Sequence, residues 1–286
     1  MKRLHKSLYC FTLIEMLVVV AIILILASLI FPSLKRALYI AHLTKCASNL
    51  SQLGKAVSVY TDDSKDNYPR RMANIKGNFA NQLFRNSKSL DGEFWDDRPM
   101  LTPYMDLDVL LVCPLAPLEN GVTLSGPATI TSEVWAGYEM WYGSAFNNND
   151  LRNGMMRVGD RPEYDGHSFD IIAADVELDY AGKERGAYWI SSSHPDFQIL
   201  QKVNFTQTNS PGGCAMSLYI DGWWIDPSKM TDTSNLARGT LDRNFLSDDG
   251  GVRTLMGLAY ADPRTVRLPG YPGMPDWPVH SYLPPR

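Results

Sequence analysis

Residues 11–60, FTLIEMLVVVAIILILASLIFPSLKRALYIAHLTKCASNLSQLGKAVSVY, decide how the rest of the chain is read. The first 21 of them, Phe11–Phe31, carry a single charged residue, Glu15. Wound as a helix at ~1.5 Å per residue, that stretch extends about 30 Å, the thickness of a bilayer's hydrocarbon core. Beyond Pro32 the pattern changes. Leu43, Cys46, Leu50, Leu53, Val57 and Tyr60 recur at alternating steps of three and four, which draws one apolar stripe along an amphipathic helix. Lys45, Ser48, Asn49, Gln52 and Lys55 fall mostly on the other faces. The spacing therefore predicts a membrane-crossing helix over 11–31 and its amphipathic continuation over 32–60. The end is expected near Tyr60, before Thr61-Asp62-Asp63 and the Asn67-Tyr68-Pro69 break.

The flanks of the apolar run give it a direction. Lys2, Arg3, His5 and Lys6 precede it, and basic residues stay on the cytoplasmic side of a membrane. The bulk of the chain is then expected on the far side. The run is longer than the ~7–15 apolar residues of a secretory signal, and Ala27-Ser28 is followed by Leu29, Ile30 and Phe31 instead of a polar cleavage region. A plain single-pass anchor leaves Glu15 without a role. A carboxylate in an apolar span costs ~2.5 kcal/mol or more unless it has a partner. The positive end of the helix dipole offsets part of that. A cut before Phe11 would place a new α-amine four residues from Glu15.

The whole chain has 286 residues, 45% hydrophobic, enough for a sizeable core. Its net charge is −4, and without residues 1–10 it holds 24 basic against 31 acidic residues, a net −7. Nothing in that balance suggests a nucleic-acid partner, which calls for a basic patch. Of the four cysteines, Cys46, Cys113 and Cys214 lie beyond Cys10. Three allow one bridge and one thiol, with the pair left open. Residues 61–262 read as an α+β or β-rich globular domain of short apolar runs between turns, with strands expected at Ser168–Ala174, Gly186–Ser191 and Cys214–Ile220. Trp135, Tyr138, Trp141, Tyr142 and Phe146 form an aromatic cluster expected in the core, a carbohydrate-stacking surface being the alternative. The last 24 residues, 263–286, contain seven prolines and are expected to be an extended or irregular tail.

The segment FTLIEMLVVVAIILILASLIFP resembles the amino-terminal processing segment of type IV pilins and type II secretion pseudopilins. The resemblance implies a bacterial inner-membrane protein whose leader, residues 1–10, is removed by a prepilin peptidase. Phe11 would be the new, N-methylated terminus. Glu15 would be the assembly carboxylate, paired with the terminal amine of a neighbouring pilin or pseudopilin subunit. Pro32 stands where many of these proteins carry a helix-bending proline. Cys10 departs from the pattern, which usually has glycine before the cut. The implied fold is a long helix packed on an antiparallel β-sheet. Residues 45–69, KCASNLSQLGKAVSVYTDDSKDNYP, are similar to a narrower group of pseudopilin-like proteins common in planctomycetes, which also carry a later Cys-Pro; here that is Cys113-Pro114. That likeness implies a disulfide between Cys46 and Cys113. In the same group a His often precedes Asp-Gly by ten positions. Here Asp221-Gly222 is kept and Pro211 stands in place of the His, so a hairpin is carried over and a site is not.

Motifs of enzyme chemistry are missing. There is no nucleophile elbow, phosphate-binding loop, dinucleotide fingerprint or paired-His zinc motif. His42, His167, His194 and His280 are scattered, without metal-ligand spacing. Asp62, Asp63 and Asp66, and then Asp248 and Asp249, form acidic loops that do not follow an EF-hand spacing. They read as solvated turns, as does Asn147–Asp150, with a structural calcium ion the alternative. No cofactor is expected. The function expected is that of a non-enzymatic filament subunit; a membrane-anchored, carbohydrate-binding module is the rival.

Overall fold

The computed structural model describes residues 12–71, 82–86, 94–115, 124–125, 133–143, 155–164, 166–175, 177–182, 187–192, 206–207, 216–217, 241–258, 266–268 and 279–283. One helix, α1, runs Leu13–Asp63 with Pro32 inside it. Proline has no N–H to offer the carbonyl four residues back, that of Ser28, so one rung is missing there. The chain divides into two compact units, residues 1–41 and 42–286. In the first, the large apolar side chains from Leu13 to Phe31 are exposed. Among the described residues, α1 is the helix long and apolar enough to cross a membrane.

The second unit starts within the helix, at His42, not at residue 61 where composition suggested the domain begins. The predicted stripe is the helix's buried face: Leu43, Cys46, Leu50, Leu53 and Val57 are buried, while Tyr60 is partly exposed. Lys45, Ser48, Gln52 and Lys55 are exposed as expected, but Asn49 is buried. The helix runs three residues past Tyr60 because its end is a capped turn and not a simple break. Lys65 and Asp66 adopt left-handed backbone angles (φ 56° and 61°). The Asp66 N–H returns to the Thr61 carbonyl at 3.0 Å, and the Asn67 side-chain amide donates to the Ser64 and Lys65 carbonyls at 2.7 and 3.1 Å. Carbonyls that the helix leaves open are thereby satisfied.

Fifteen strands are described beside it. In chain order the first seven are β1 (Gln82–Asn86), β2 (Phe94–Asp96), β3 (Glu133–Trp135), β4 (Tyr138–Met140), β5 (Glu163–Tyr164), β6 (His167–Ser168) and β7 (Ile171–Asp175). The rest are β8 (Glu177–Gly182), β9 (Ala187–Ser192), β10 (Thr206–Gln207), β11 (Met216–Ser217), β12 (Leu241–Ser247), β13 (Val252–Leu258), β14 (Val266–Leu268) and β15 (Val279–Leu283). Two one-turn helices, α2 (Arg98–Leu101) and α3 (Leu107–Leu110), lie between β2 and β3.

The architecture is α+β. An antiparallel four-stranded sheet, ordered β13-β12-β7-β4, shares one hydrophobic core with the buried face of α1. The core joins Cys46, Leu50, Leu53 and Val57 to Tyr138, Met140, Ile171–Ala174, Phe245 and Leu246. Helix and sheet approach closely at Gly54, where a Cβ would sit 2.9 Å from Leu246 Cδ1. The Asn244 side chain, on β12, donates to the Leu43 carbonyl at 3.3 Å. A second, six-stranded antiparallel sheet has the order β10-β11-β9-β8-β15-β14. β1–β3 form a third sheet, and β5 pairs with β6.

One of the three strand expectations changes. The run 168–174 is not one strand: β6 closes a short hairpin with β5, and β7 begins at Ile171. The break holds Phe169 and Asp170, whose N–H and C=O bond to Pro162 and Asp248 instead of to a neighbouring strand. The strand at 186–191 is found at Ala187–Ser192. Of 214–220 only Met216–Ser217 is described, and the Asp221-Gly222 hairpin lies outside the described residues. The proline-rich segment is not wholly an irregular tail. Val266–Leu268 and Val279–Leu283 pair with each other, and the latter pairs with β8. Neither of these two strands contains a proline.

Candidate functional site: the helix start and the seat of its buried half

The processing residues Cys10 and Phe11 lie outside the described residues. Glu15 is described, in the first turn of α1, and it has a partner in its own chain. Its Oε2 accepts the Thr12 backbone N–H at 2.8 Å and the Thr12 hydroxyl at 2.6 Å, while the Glu15 N–H donates to Thr12 Oγ1 at 3.3 Å. That is a capping box, Thr-x-x-Glu, which satisfies two of the donors a helix start leaves open. The expectation that a simple anchor has no use for Glu15 is therefore corrected: the carboxylate has a local task in an isolated chain. The signature of this cap, Thr12-Leu13-Ile14-Glu15, is local and stands in the sequence.

The lower half of α1 is held by polar contacts that periodicity does not reveal. Asn49 stands one turn after Cys46. Its side-chain amide donates to the Val109 and Val112 carbonyls, at 3.4 and 3.2 Å, and to the Tyr138 hydroxyl at 3.2 Å. Val109 and Val112 lie at the end of α3, where carbonyls have no helical donor. Asn49 thus caps a neighbouring helix from the buried face of the spine. Cys46 and Cys113 are both fully buried with their sulfurs 3.1 Å apart. Burial pushes the Cys113 thiol well up, and its contact with Cys46 adds to the effect. The Tyr138 hydroxyl hydrogen-bonds Cys46 and is likewise pushed up, chiefly by burial. Gly137 packs closely on Cys113: its N–H donates to the Leu111 carbonyl at 2.7 Å, and a Cβ there would lie 2.6 Å from the Cys113 nitrogen.

Tyr138, Trp141 and Tyr142 are buried, so these three rings are core and not a stacking surface; Phe146 lies outside the described residues. Around them sit charged residues that nothing in their sequence spacing connects. Arg243 reaches Glu139 at 3.4 Å, donates from Nε to the Asp175 carbonyl at 2.8 Å, and lies 5.1 Å from the Phe245 ring centre. Arg71 pairs with Asp97 at 3.2 Å. Both pairs are buried, so removing one partner would take away the charge that balances the other.

The acidic loops have structural tasks. Asp63 accepts the Tyr104 hydroxyl at 3.4 Å. Asp248 pairs with Arg161 at 2.5 Å, and Asp249 accepts the Gly251 N–H at 2.8 Å in the turn between β12 and β13. Among the described residues, no group of three or more His, Cys, Asp or Glu side chains is placed to hold a metal ion. No family model, no curated protein and no solved structure matches this chain.

Proposed function

We propose that this chain is a non-enzymatic, prepilin-like subunit of a type II secretion pseudopilus or a type IV pilus. The leader holds the amino terminus in the bacterial cytoplasm, and a prepilin peptidase cuts before Phe11. The domain lies in the periplasm or beyond. The apolar half of α1 waits in the inner membrane and then packs against other subunits as the filament's spine. The observation that carries this reading is one unbroken helix with two surfaces, an exposed apolar run headed by a carboxylate and a buried stripe in a β-sheet core. A membrane anchor needs only the first. A spine that must hand its domain to a filament needs both.

Mass spectrometry of the purified chain tests processing. An N-methylated Phe11 terminus is expected, and an intact Met1 would leave a simple anchor. The anchored carbohydrate-binding module remains the rival, but three of the five rings that could form its stacking surface, Tyr138, Trp141 and Tyr142, are buried.

A further inference from the structure

We propose that Lys35 and Arg36 form a docking pair for the phosphate groups of anionic phospholipid, at the end of the apolar run opposite Glu15. The proposal rests on the membrane-spanning part of the reading above and adds the surface that the emerging helix touches.

Charge along α1 is one-sided. Between Glu15 and Asp62 the helix carries no acidic residue, but it holds Lys35, Arg36, Lys45 and Lys55. Opposite charges three or four positions apart are neighbours on a helix and pair there. Lys35 has Phe31, Pro32, Leu38 and Tyr39 at those positions, and Arg36 has Pro32, Ser33, Tyr39 and Ile40. Neither can therefore be balanced within the helix. Among the described residues neither side chain makes an ion pair with another element either. Both are exposed, and so are Phe31, Leu34 and Leu38 around them.

Two unbalanced cations among exposed apolar side chains suit one environment above others. Inside hydrocarbon they would be costly. At its edge, their aliphatic stems lie along apolar surface while the charged heads reach the phosphate layer. The spacing fits that depth. Glu15 and Lys35 are twenty residues apart, ~30 Å along a helix, about one hydrocarbon thickness. Helical side chains slant toward the amino terminus, so Lys35 and Arg36 lean back toward the end of the apolar run. Consecutive residues stand about 100° apart around a helix, so the two meet different phosphates.

The rest of the chain does not supply this attraction. The second unit, residues 42–286, holds 22 basic against 30 acidic residues, a net −8, and anionic lipid repels it. Once residues 1–10 are removed, Lys35 and Arg36 are the basic side chains nearest the apolar run. An acidic surface of a second copy is the other conceivable partner. Lipid phosphate is favoured because it is present at this depth wherever the run spans a bilayer.

The test uses the full chain in two steps. Membranes from expressing cells are extracted with alkaline carbonate. A chain released by carbonate would overturn the membrane reading and the proposal with it, whereas a chain that resists leaves the next step to decide the proposal alone. The detergent-solubilised chain is then titrated with phosphatidylglycerol or with phosphatidylcholine, and bound lipid is counted by native mass spectrometry. Lys2, Arg3 and Lys6 also attract anionic lipid, so the reference carries Lys2→Gln, Arg3→Gln and Lys6→Gln. The reference is expected to prefer phosphatidylglycerol. Adding Lys35→Gln and Arg36→Gln is expected to weaken that binding roughly thirty-fold and to leave phosphatidylcholine binding unchanged. The charge-keeping exchange Lys35→Arg with Arg36→Lys is expected to restore it. Both residues are exposed, so the thermal midpoint should stay at the reference value. Phosphatidylglycerol binding that ignores positions 35 and 36, or that falls equally with Lys45→Gln and Lys55→Gln, overturns the proposal. Unchanged lipid binding with fewer chain-to-chain crosslinks would assign the pair to a second copy and overturns it as well.

Discussion

At the scale of single residues, Glu15 and Asn49 each combine two requirements in one side chain. Glu15 caps its own helix through Thr12, and in the proposed filament it also neutralises a neighbour's amine. Substitution can separate these tasks. Glutamine keeps a capping acceptor and loses the charge, whereas valine loses both. We predict that Glu15→Gln and Glu15→Val insert in the membrane normally and both fail to enter filaments, measured by crosslinking and by shearing of surface filaments. Normal incorporation of Glu15→Gln would assign the residue to capping alone. Asn49 gives a cleaner stability prediction. Asn49→Ala leaves the Val109 and Val112 carbonyls and the Tyr138 hydroxyl without this donor. The expected loss is about 1–3 kcal/mol, read as a lower denaturant midpoint at unchanged slope. A loss near zero would mean that the amide is dispensable to the α1–α3 contact.

At the scale of elements, the sheet is joined to the loop after α1 through one glycine. Gly143 has φ +69°, donates to the Met155 carbonyl at 2.8 Å and accepts the Arg71 N–H at 3.0 Å. A Cβ at that position would fall 1.7 Å from the Pro69 carbonyl oxygen, which is backbone and has little room to yield. Gly143→Ala combines a left-handed angle with this collision and is expected to cost on the order of 4 kcal/mol. The measurement is the yield of folded protein and its thermal midpoint; a variant as stable as the parent would refute the close approach. Periodicity located α1 and its stripe, but it placed Asn49 with the exposed polar residues. A polar side chain beside an apolar stripe is buried only when another element supplies acceptors, and those acceptors come from residues some sixty positions away. The carboxy-terminal strands show the converse. Local proline content suggested an irregular tail, while strand addition to β8 depends on a partner outside the segment.

At the scale of the whole molecule, the second unit encloses phenols and ion pairs in one core. Burial pushes Tyr142 from 10.0 up to about 12, with Arg71 pulling the other way, and Tyr68 is raised by burial and by Asp248. Both are raised in the fold, so the folded state favours the neutral phenol. Their contribution to stability is complete below pH 10 and is lost as the pH climbs toward 12, because the unfolded chain gives up these protons first. Titration followed by phenolate absorbance and circular dichroism together should show late-ionising tyrosines appearing only as the fold is lost. Ionisation of every tyrosine near pH 10 with the fold intact would contradict this burial.

The sequence by itself determined the membrane-length apolar helix, its amphipathic continuation and the stripe it buries, because helical periodicity and hydrophobicity are local and additive along the chain. It also contained the Thr12–Glu15 cap, a contact within one turn. Only the tertiary structure decided where the stripe is received, that Asn49 caps a separate helix, and that Arg243 meets Glu139. These pairs lie far apart in the chain, and their proximity is set by the packing of α1 on the β13-β12-β7-β4 sheet and its neighbouring short helices, which no local pattern encodes.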